Sequence, residues 1–350
     1  MILPNMPAIY LKTTETCNLN CRHCFTSGSR GRKIYFNVNK TLDFFQRLAT
    51  DCKWIKGARF IYHGGEPMLA PLRDLIRFRE EVLGILPEST FSLQTNLVYR
   101  LTDPILDFFK SLKSFGVSWD HDIRFEFQSQ RAMWEKNVEI LKDMNLQLTM
   151  VVSMSKKLLE EKRAIEIVEY AHTRGFKHIL FERITPNGNA NKNPDIMPSN
   201  KDADRWVYDM YQDTIAGKWY DKIGNMMLAT LAEGIYSSNH VATACRICEQ
   251  TILTINADGT VSGCPNSAPE MNWGTIDEPV FDLLKSSARI KSITCEAERN
   301  PICYTCEYFS ICNGGCHQLA WEGEMCAQPK ALFSEGIKIE NRANFKELLF

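Results

Sequence analysis

Three cysteines, Cys17, Cys21 and Cys24, lie within one short segment near the start of the chain, TETCNLNCRHCFTSG. No fourth cysteine lies close enough in sequence to complete a four-ligand site. Structural zinc ions and closed iron-sulfur clusters usually take four protein ligands, whereas three thiolates can hold three corners of a cluster and leave the fourth open. The spacing favours such an open cluster, and a zinc site completed by His23 or a distant cysteine is the second interpretation.

A second group of cysteines lies between positions 245 and 326 and holds nine of the 13 cysteines in the chain. Within it, the segment TILTINADGTVSGC is typical of a β-hairpin that turns at Asp258 and Gly259. Such a hairpin would bring Cys248 and Cys264 alongside each other to share a metal site. On this pattern alone, a zinc ribbon is as reasonable as an iron-sulfur site.

The composition of the 350 residues limits the classes of function. The 41 basic and 42 acidic residues nearly cancel, so no overall charge favours nucleic acid or an anionic membrane as a partner. An odd number of cysteines cannot all pair as disulfides, and neither a signal peptide nor a membrane-spanning apolar run is visible. We therefore expect a cytoplasmic protein whose reduced cysteines bind metal.

The elements that must position these residues are repeated β-α units between about residues 8 and 183. Six predicted strands alternate with helical patterns of apolar residues: AIYLKTT, ARFIYH, TFSLQT, GVSW, LQLTMVVS and HILFER. Six units predict an α/β fold, a partial (β/α)6 barrel of the TIM type, in which ligands gather at the carboxyl ends of the strands. The cysteine loop follows the first strand, and the segment HGGEP follows the second.

The cysteine triplet after a first strand, followed by a GGEP segment that begins at Gly64, resembles the radical S-adenosylmethionine enzymes. The resemblance implies that the triplet binds a 4Fe-4S cluster whose open iron is chelated by the methionine part of S-adenosylmethionine. It also implies that one electron cleaves this cofactor, and that the resulting 5′-deoxyadenosyl radical abstracts hydrogen from the substrate.

The resemblance further implies a set of cofactor contacts: Gly64, Gly65, Glu66, His23, Asn96 and Ser118. The glycines would let the backbone approach the methionine amino group, and Glu66 would accept a hydrogen bond from it. His23 occupies the place where an aromatic residue often lies against the adenine. Asn96 ends the third predicted strand, and Ser118 matches the serine of an SxDG motif, although His121 stands where glycine is usual.

The C-terminal cysteines resemble the SPASM domain of radical enzymes that modify peptides and proteins. This resemblance implies two auxiliary 4Fe-4S clusters, and hence three clusters in the chain. One would be bound by Cys245, Cys248, Cys264 and Cys316, and the other by Cys303, Cys306, Cys312 and Cys326. Cys52 and Cys295 stay unassigned. The implied domains are a radical barrel over 1–235, a SPASM domain over 236–330 and a C-terminal tail over 331–350.

Together these resemblances predict a maturase that oxidatively modifies a ribosomally made peptide, forming a carbon-carbon or thioether cross-link. A formylglycine-forming sulfatase maturase is one alternative, but that group usually has an acidic base directly after the cysteine that corresponds to Cys264, where this chain has Pro265. A peptide epimerase is another, yet outside the triplet the barrel offers only Cys52 as a hydrogen donor. A non-catalytic zinc-binding protein would need neither GGEP nor a barrel.

The predicted partners are a precursor peptide and an electron donor such as flavodoxin or ferredoxin. Only 16 residues precede Cys17, which leaves no room for the N-terminal peptide-recognition domain of many peptide-modifying relatives. If the peptide needs such a domain, we expect a separate protein to supply it. Neither nucleic acid nor a membrane is expected as a partner.

Overall fold

The computed structural model describes residues 3–26, 28–237, 247–267 and 269–349. The strands among them are β1 (Ala8–Thr14), β2 (Arg59–Gly64), β3 (Thr90–Thr95), β4 (Ser114–Trp119), β5 (Leu148–Met154), β6 (His178–Arg183), β7 (Gly224–Asn225), β8 (Ile252–Ile255), β9 (Thr260–Ser262) and β10 (Gly274–Thr275).

The α-helices of the described residues complete the element order. They are α1 (Val38–Asp51), α2 (Leu72–Ile85), α3 (Asp103–Lys110), α4 (Gln128–Asp143), α5 (Lys156–Glu161), α6 (Ala164–Thr173), α7 (Asn200–Ala216), α8 (Met226–Ser237), α9 (Cys248–Thr251), α10 (Val280–Leu284), α11 (Ser287–Ala297), α12 (Phe309–Cys312), α13 (Lys330–Gly336) and α14 (Arg342–Glu347).

The described strands form one sheet in the order β10-β9-β8-β1-β2-β3-β4-β5-β6-β7. Strands β1 to β7 are parallel, as the intervening helices require, and each of the six predicted strands is found within two residues of its predicted bounds. The prediction of an α/β fold with repeated β-α units is therefore confirmed.

The sheet extends beyond the six predicted strands at both edges. The two-residue strand β7 pairs with β6, and β8 pairs in parallel with β1, with Ala8 opposite Ile252 and Leu11 opposite Ile255. The hairpin predicted at Asp258 is confirmed, because β8 and β9 are antiparallel. The pairing of β8 with β1 was not predicted. The unpaired N–H and C=O groups of an edge strand can bind any segment that the fold brings near, so the sequence does not specify the partner.

Aromatic side chains pack the helices against one face of the sheet. Phe60 on β2 contacts the rings of Phe45 in α1 and Phe78 in α2, at 5.0 and 5.7 Å between centroids. Phe115 on β4 contacts Phe109 in α3 at 5.0 Å. Each such buried ring contributes roughly 1.5–3 kcal/mol to folding. These ring contacts identify the face of the sheet on which α1, α2 and α3 pack.

We call the opposite face of the strands the inner face, since side chains alternate along a strand. Its members are Tyr10, Lys12, Ile61, His63, Ser92, Gln94, Gly116, Ser118, Val151, Ser153, Leu180 and Glu182. Most of these residues are polar, in contrast to the helix-covered face. A polar inner face is typical of a sheet that encloses a ligand.

The C-terminal helices α13 and α14 pack onto α7 and α8. The ring of Phe345 stacks on Tyr211 at 4.7 Å between centroids, and Leu332 and Phe333 are fully buried. The segment predicted as a tail thus contributes to the core. Within the described parts of the chain, no helix has the length and apolar character needed to cross a membrane.

Candidate functional site

The loop after β1 carries the N-terminal cysteines, and nitrogen donors surround their sulfur atoms. The Leu19 N–H lies 3.4 Å from Cys17 Sγ, Asn96 Nδ2 lies 3.6 Å from the same sulfur, and Arg124 Nη1 lies 3.8 Å from Cys21 Sγ. Burial raises the pKa of Cys17 to about 11 and that of Cys21 to about 12. These thiols would therefore lose their protons only on binding metal, and the donors around them fit thiolate ligands of a cluster.

The loop after β6 holds the cysteine loop in place. The Asn189 N–H donates to the Cys24 carbonyl at 2.7 Å. From the same loop, Asn187 Nδ2 donates to the Asn266 carbonyl at 2.8 Å and to Gln318 Oε1 at 2.7 Å. This loop therefore connects the N-terminal cysteine loop to the segments that follow Cys264 and Cys316, two of the predicted cluster ligands.

The GGEP segment lies at the end of β2 and packs against the end of β1. The N–H groups of Gly65 and Glu66 donate to the carbonyls of Thr14 and Thr16, each at 2.8 Å. A Cβ atom at Gly65 would lie 2.1 Å from the Thr16 oxygen, so only glycine fits there. Close contact with the backbone that follows β1 therefore requires glycine at position 65, in addition to any role of this residue in binding the cofactor.

The Glu66 carboxylate is fully buried and accepts three hydrogen bonds from the protein. Its Oε1 accepts from Thr95 Oγ1 at 2.8 Å and from the Met68 N–H at 3.2 Å, and its Oε2 accepts from the Asn96 N–H at 2.7 Å. Burial outweighs these donors and raises the pKa of Glu66 to about 7. A carboxylate has about four acceptor positions, so one remains for the predicted contact with the cofactor.

We expect the Glu66→Gln variant to lack a pH dependence that the native protein shows. Between about pH 4.5 and about pH 7 the carboxyl group is ionised in the unfolded chain but protonated in the folded one. The free energy of unfolding of the native protein therefore falls as pH rises through this window, by about 3 kcal/mol. Urea unfolding at a series of pH values measures the difference. The exposed control Glu88→Gln should show the same decrease in the free energy of unfolding with pH as the native protein. An equal decrease in the native protein, Glu66→Gln and Glu88→Gln would contradict the prediction.

A buried ion pair and a histidine lie beside Cys21. Arg124 Nε donates to Asp120 Oδ2 at 2.7 Å, and Asp120 Oδ1 accepts from the Ser153 N–H at 2.7 Å. His23 Nε2 lies 3.3 Å from Arg124 Nη2 and 3.5 Å from Asp120 Oδ2. Burial lowers the pKa of His23 to about 4, so its ring is neutral. A neutral ring suits the predicted contact with an adenine.

Asn96 and Ser118, the other predicted cofactor contacts, are buried at the ends of β3 and β4. Asn96 Nδ2 donates to Asn18 Oδ1 at 2.8 Å, and Asn96 Oδ1 accepts from the Val98 N–H at 2.8 Å. Ser118 Oγ accepts from Gln94 Nε2 at 2.8 Å. Both residues lie on the same edge of the sheet as the cysteine loop, and their contacts with a cofactor stay a prediction.

The four cysteines predicted to share one auxiliary cluster line a single pocket, namely Cys303, Cys306, Cys312 and Cys326. Aromatic side chains, including Tyr308, Trp321 and Phe333, complete its lining. Burial raises the pKa of Cys312 to about 12. Four thiols that line one pocket match the four ligands of a 4Fe-4S cluster.

The other predicted set is only partly described. Cys248 precedes β8 and Cys264 follows β9, so the hairpin places both at the same end of the two strands. The Cys264 N–H donates to the buried Oε1 of Glu249 at 3.4 Å. Cys316 lies on the loop after α12. Cys245, the predicted fourth ligand, lies outside the described residues.

Across residues 3–26, 28–237, 247–267 and 269–349, no three His, Cys, Asp or Glu side chains converge closely enough to hold one metal ion. A zinc site needs its ligands within about 2.3 Å of one ion. Each thiolate of a 4Fe-4S cluster binds a different iron, so a cluster does not require that convergence. The metal groups bound by these cysteines stay a prediction.

Several ionisable residues of the site were missed in the sequence. Burial lowers the pKa of Lys12 to about 8 and that of His63 to about 3. Glu182, on β6, also lies on the inner face, and desolvation by the surrounding protein raises its pKa. All three lie near the carboxyl end of a predicted strand, and this position is the signal that could have identified them.

Comparisons with known proteins give matches among solved structures. No family profile matches the chain, and no curated protein matches its sequence. A structure of anSMEcpe with bound AdoMet, which is S-adenosylmethionine, has a TM-score of 0.77 at 18% identity and covers 98% of this chain and 97% of its own. A structure of anSMEcpe with AdoMet and the Cp18Cys peptide has a TM-score of 0.75 at 17% identity and covers 97% and 98%.

A third structure, SuiB of Streptococcus suis bound to precursor peptide SuiA, has a TM-score of 0.63 at 14% identity and covers 90% of this chain and 72% of its own. At these identities the similarity establishes the fold. The predicted architecture is thereby confirmed: the chain has the fold of the radical S-adenosylmethionine enzymes that carry a SPASM domain.

Proposed function

We propose that the chain is a radical S-adenosylmethionine maturase that oxidatively modifies a ribosomally made peptide. The observation that carries this proposal is the placement of the cysteine triplet, GGEP, Asn96 and Ser118 along one edge of a parallel sheet with a polar inner face. Ligands of such folds gather at the carboxyl ends of the strands. The triplet, with S-adenosylmethionine, would hold the first of three 4Fe-4S clusters.

The solved neighbours support a peptide as substrate. Their structures hold AdoMet, the Cp18Cys peptide or the precursor peptide SuiA. In this chain we expect the peptide to lie between the inner face and the C-terminal cysteine region, to which the Asn187 loop is hydrogen-bonded. The formal charge of –1 offers no basic track for nucleic acid. A flavodoxin or ferredoxin would supply electrons, and a separate protein would present the peptide if it needs a recognition domain.

The bound cofactors would supply one-electron chemistry and a carbon radical that abstracts hydrogen. The residues of the chain would bind and orient the reactants. Asn96 Nδ2 and Arg124 donate toward the sulfur atoms of the cysteine loop, and His23 presents a neutral ring beside it. The Gly65 and Glu66 contacts with β1 fix the position of the loop that faces the methionine end.

A net oxidation that forms a cross-link is the modification we propose. Returning a hydrogen atom, as epimerisation demands, needs a donor such as a thiol, and the unassigned Cys52 is fully buried at the end of α1, on the helix side of the sheet. A sulfatase-type reaction uses an acidic base after Cys264, and Pro265 cannot accept a proton. A carbon-carbon or thioether link needs neither feature.

Mass spectrometry of the peptide tests this proposal. The reconstituted protein is incubated with S-adenosylmethionine, a reductant and a short peptide encoded beside its gene. We expect a product that is two hydrogens lighter than the peptide and carries a new internal link. A product of unchanged mass with an inverted stereocentre would instead indicate an epimerase, and an aldehyde at Cys or Ser would indicate a formylglycine maturase despite Pro265.

A further inference from the structure

The inner face carries a buried cation that forms no ion pair among the described residues. Lys12, on β1, is 8% exposed, and among the described residues its ammonium group makes neither a hydrogen bond nor an ion pair. The Phe25 ring lies over it, with the centroid 5.5 Å from Nζ. Burial of an ammonium group without an acceptor is unfavourable, so such a group is a candidate for ligand binding.

Two carboxylates that act on the charge of Lys12 are already bound by an arginine. They are those of Glu15 and Asp258. Arg32 binds both, since its Nε donates to Glu15 Oε2 at 2.7 Å and its Nη2 donates to Asp258 Oδ2 at 2.6 Å. These carboxylates therefore leave the ammonium group of Lys12 without a direct acceptor.

Two predicted ligand thiols, Cys24 and Cys264, also interact with the charge of Lys12. They belong to the N-terminal cysteine loop and to the hairpin of the C-terminal region. Lys12 therefore lies near both cysteine-bearing regions, where we expect the peptide. A carboxylate that enters between thiolates is repelled by them, so a cation is needed there to hold it.

Aromatic rings and one unpaired nitrogen complete the surroundings of Lys12. The His63 ring lies 5.7 Å from that of Phe25 and 5.5 Å from that of Tyr10, between centroids. Within the described residues, the buried Nδ1 of His63 has no hydrogen-bond partner. A neutral imidazole can hold its proton on either nitrogen, so Nδ1 can donate a hydrogen bond to the same anion as Lys12.

We propose that Lys12 and His63 form a recognition site for the side-chain carboxylate of an aspartate or glutamate next to the modified residue of the peptide. This inference rests on the function proposed above and narrows its substrate to acidic peptides. Lys12 supplies the charge and His63 a second donor, while Phe25 and Tyr10 exclude water. The site selects the peptide and takes no part in bond cleavage.

A library of random hexapeptides with capped ends tests the site without knowledge of the natural peptide. The full-length protein, reconstituted with iron and sulfide, is loaded with uncleavable S-adenosylhomocysteine, and retained peptides are identified by mass spectrometry. We expect peptides with Asp or Glu to be enriched about tenfold or more over those with Asn or Gln. Lys12→Met should remove the enrichment, His63→Phe should reduce it, and Lys12→Arg should retain most of it.

The matched control is Lys177→Met, which removes an exposed lysine that precedes β6, at the opposite end of the strands. It should enrich acidic peptides as the native protein does. Enrichment that is absent in the native protein, or unchanged in both Lys12→Met and His63→Phe, overturns the inference. So does a loss of iron or of S-adenosylmethionine affinity in Lys12→Met, since Lys12 would then serve the cofactors.

A peptide-free assay separates this inference from the proposed function. The native protein should release 5′-deoxyadenosine from S-adenosylmethionine in the presence of dithionite. If it does so without selecting acidic peptides, only the carboxylate site is wrong. If it releases no 5′-deoxyadenosine, the proposed function is wrong and the carboxylate site with it.

Discussion

Replacing Cys17, Cys21 and Cys24 together by alanine should abolish the release of 5′-deoxyadenosine from S-adenosylmethionine. These thiols are the proposed ligands of the only cluster that binds this cofactor, and each lies in a loop whose nitrogen donors are directed at sulfur. On the proposed ligand count, the anaerobically reconstituted protein holds about twelve irons, of which the triple variant should lose about a third. Iron analysis and chromatography of the reaction products measure both effects.

The matched control for this experiment is Cys295→Ala. Cys295 lies on α11, is partly exposed and has no assigned role as a ligand. This variant should keep the full iron content and the native rate of cleavage. Zinc in place of iron after strictly anaerobic purification, or full activity in the triple variant, would show that the N-terminal cysteines do not hold a cluster.

Replacing Cys306 or Cys312 by alanine should abolish the modified peptide while some cleavage of S-adenosylmethionine continues. Both cysteines line the C-terminal pocket with Cys303 and Cys326, apart from the N-terminal loop. Loss of one ligand should release one cluster, or about a third of the iron, and leave the first cluster in place. Peptide mass spectrometry and 5′-deoxyadenosine release, measured in the same reaction, give the ratio of product to cleaved cofactor.

Cys52→Ala is the appropriate control, because Cys52 is a buried cysteine that lies at the end of α1, away from the pocket. It should make the modified peptide at the native ratio. Native iron content in Cys306→Ala and Cys312→Ala, or a native yield of product, would exclude a cluster in this pocket.

Much of the fold could be predicted because its signals are local. The strands β1 to β6 each carry a run of apolar or alternating residues, and a strand spans only a few positions of the chain. The Asp258 turn of the hairpin is likewise encoded by adjacent residues, and Gly259 adopts a φ of +85° there. The pairing of β8 with β1 could not be predicted, since it joins segments that lie more than 240 positions apart.

The candidate site, like the fold, could be predicted only in part from the sequence. Thiol spacing by itself determined which cysteines are candidate ligands, because the chemistry of the side chain and the length of a loop are both properties of the sequence. Only the tertiary structure decided that Glu66 is held by three donors, that Arg32 binds two carboxylates and that the buried Lys12 forms no ion pair among the described residues. Each of these facts depends on burial and on contacts between residues distant in sequence, which determine whether a charge is compensated.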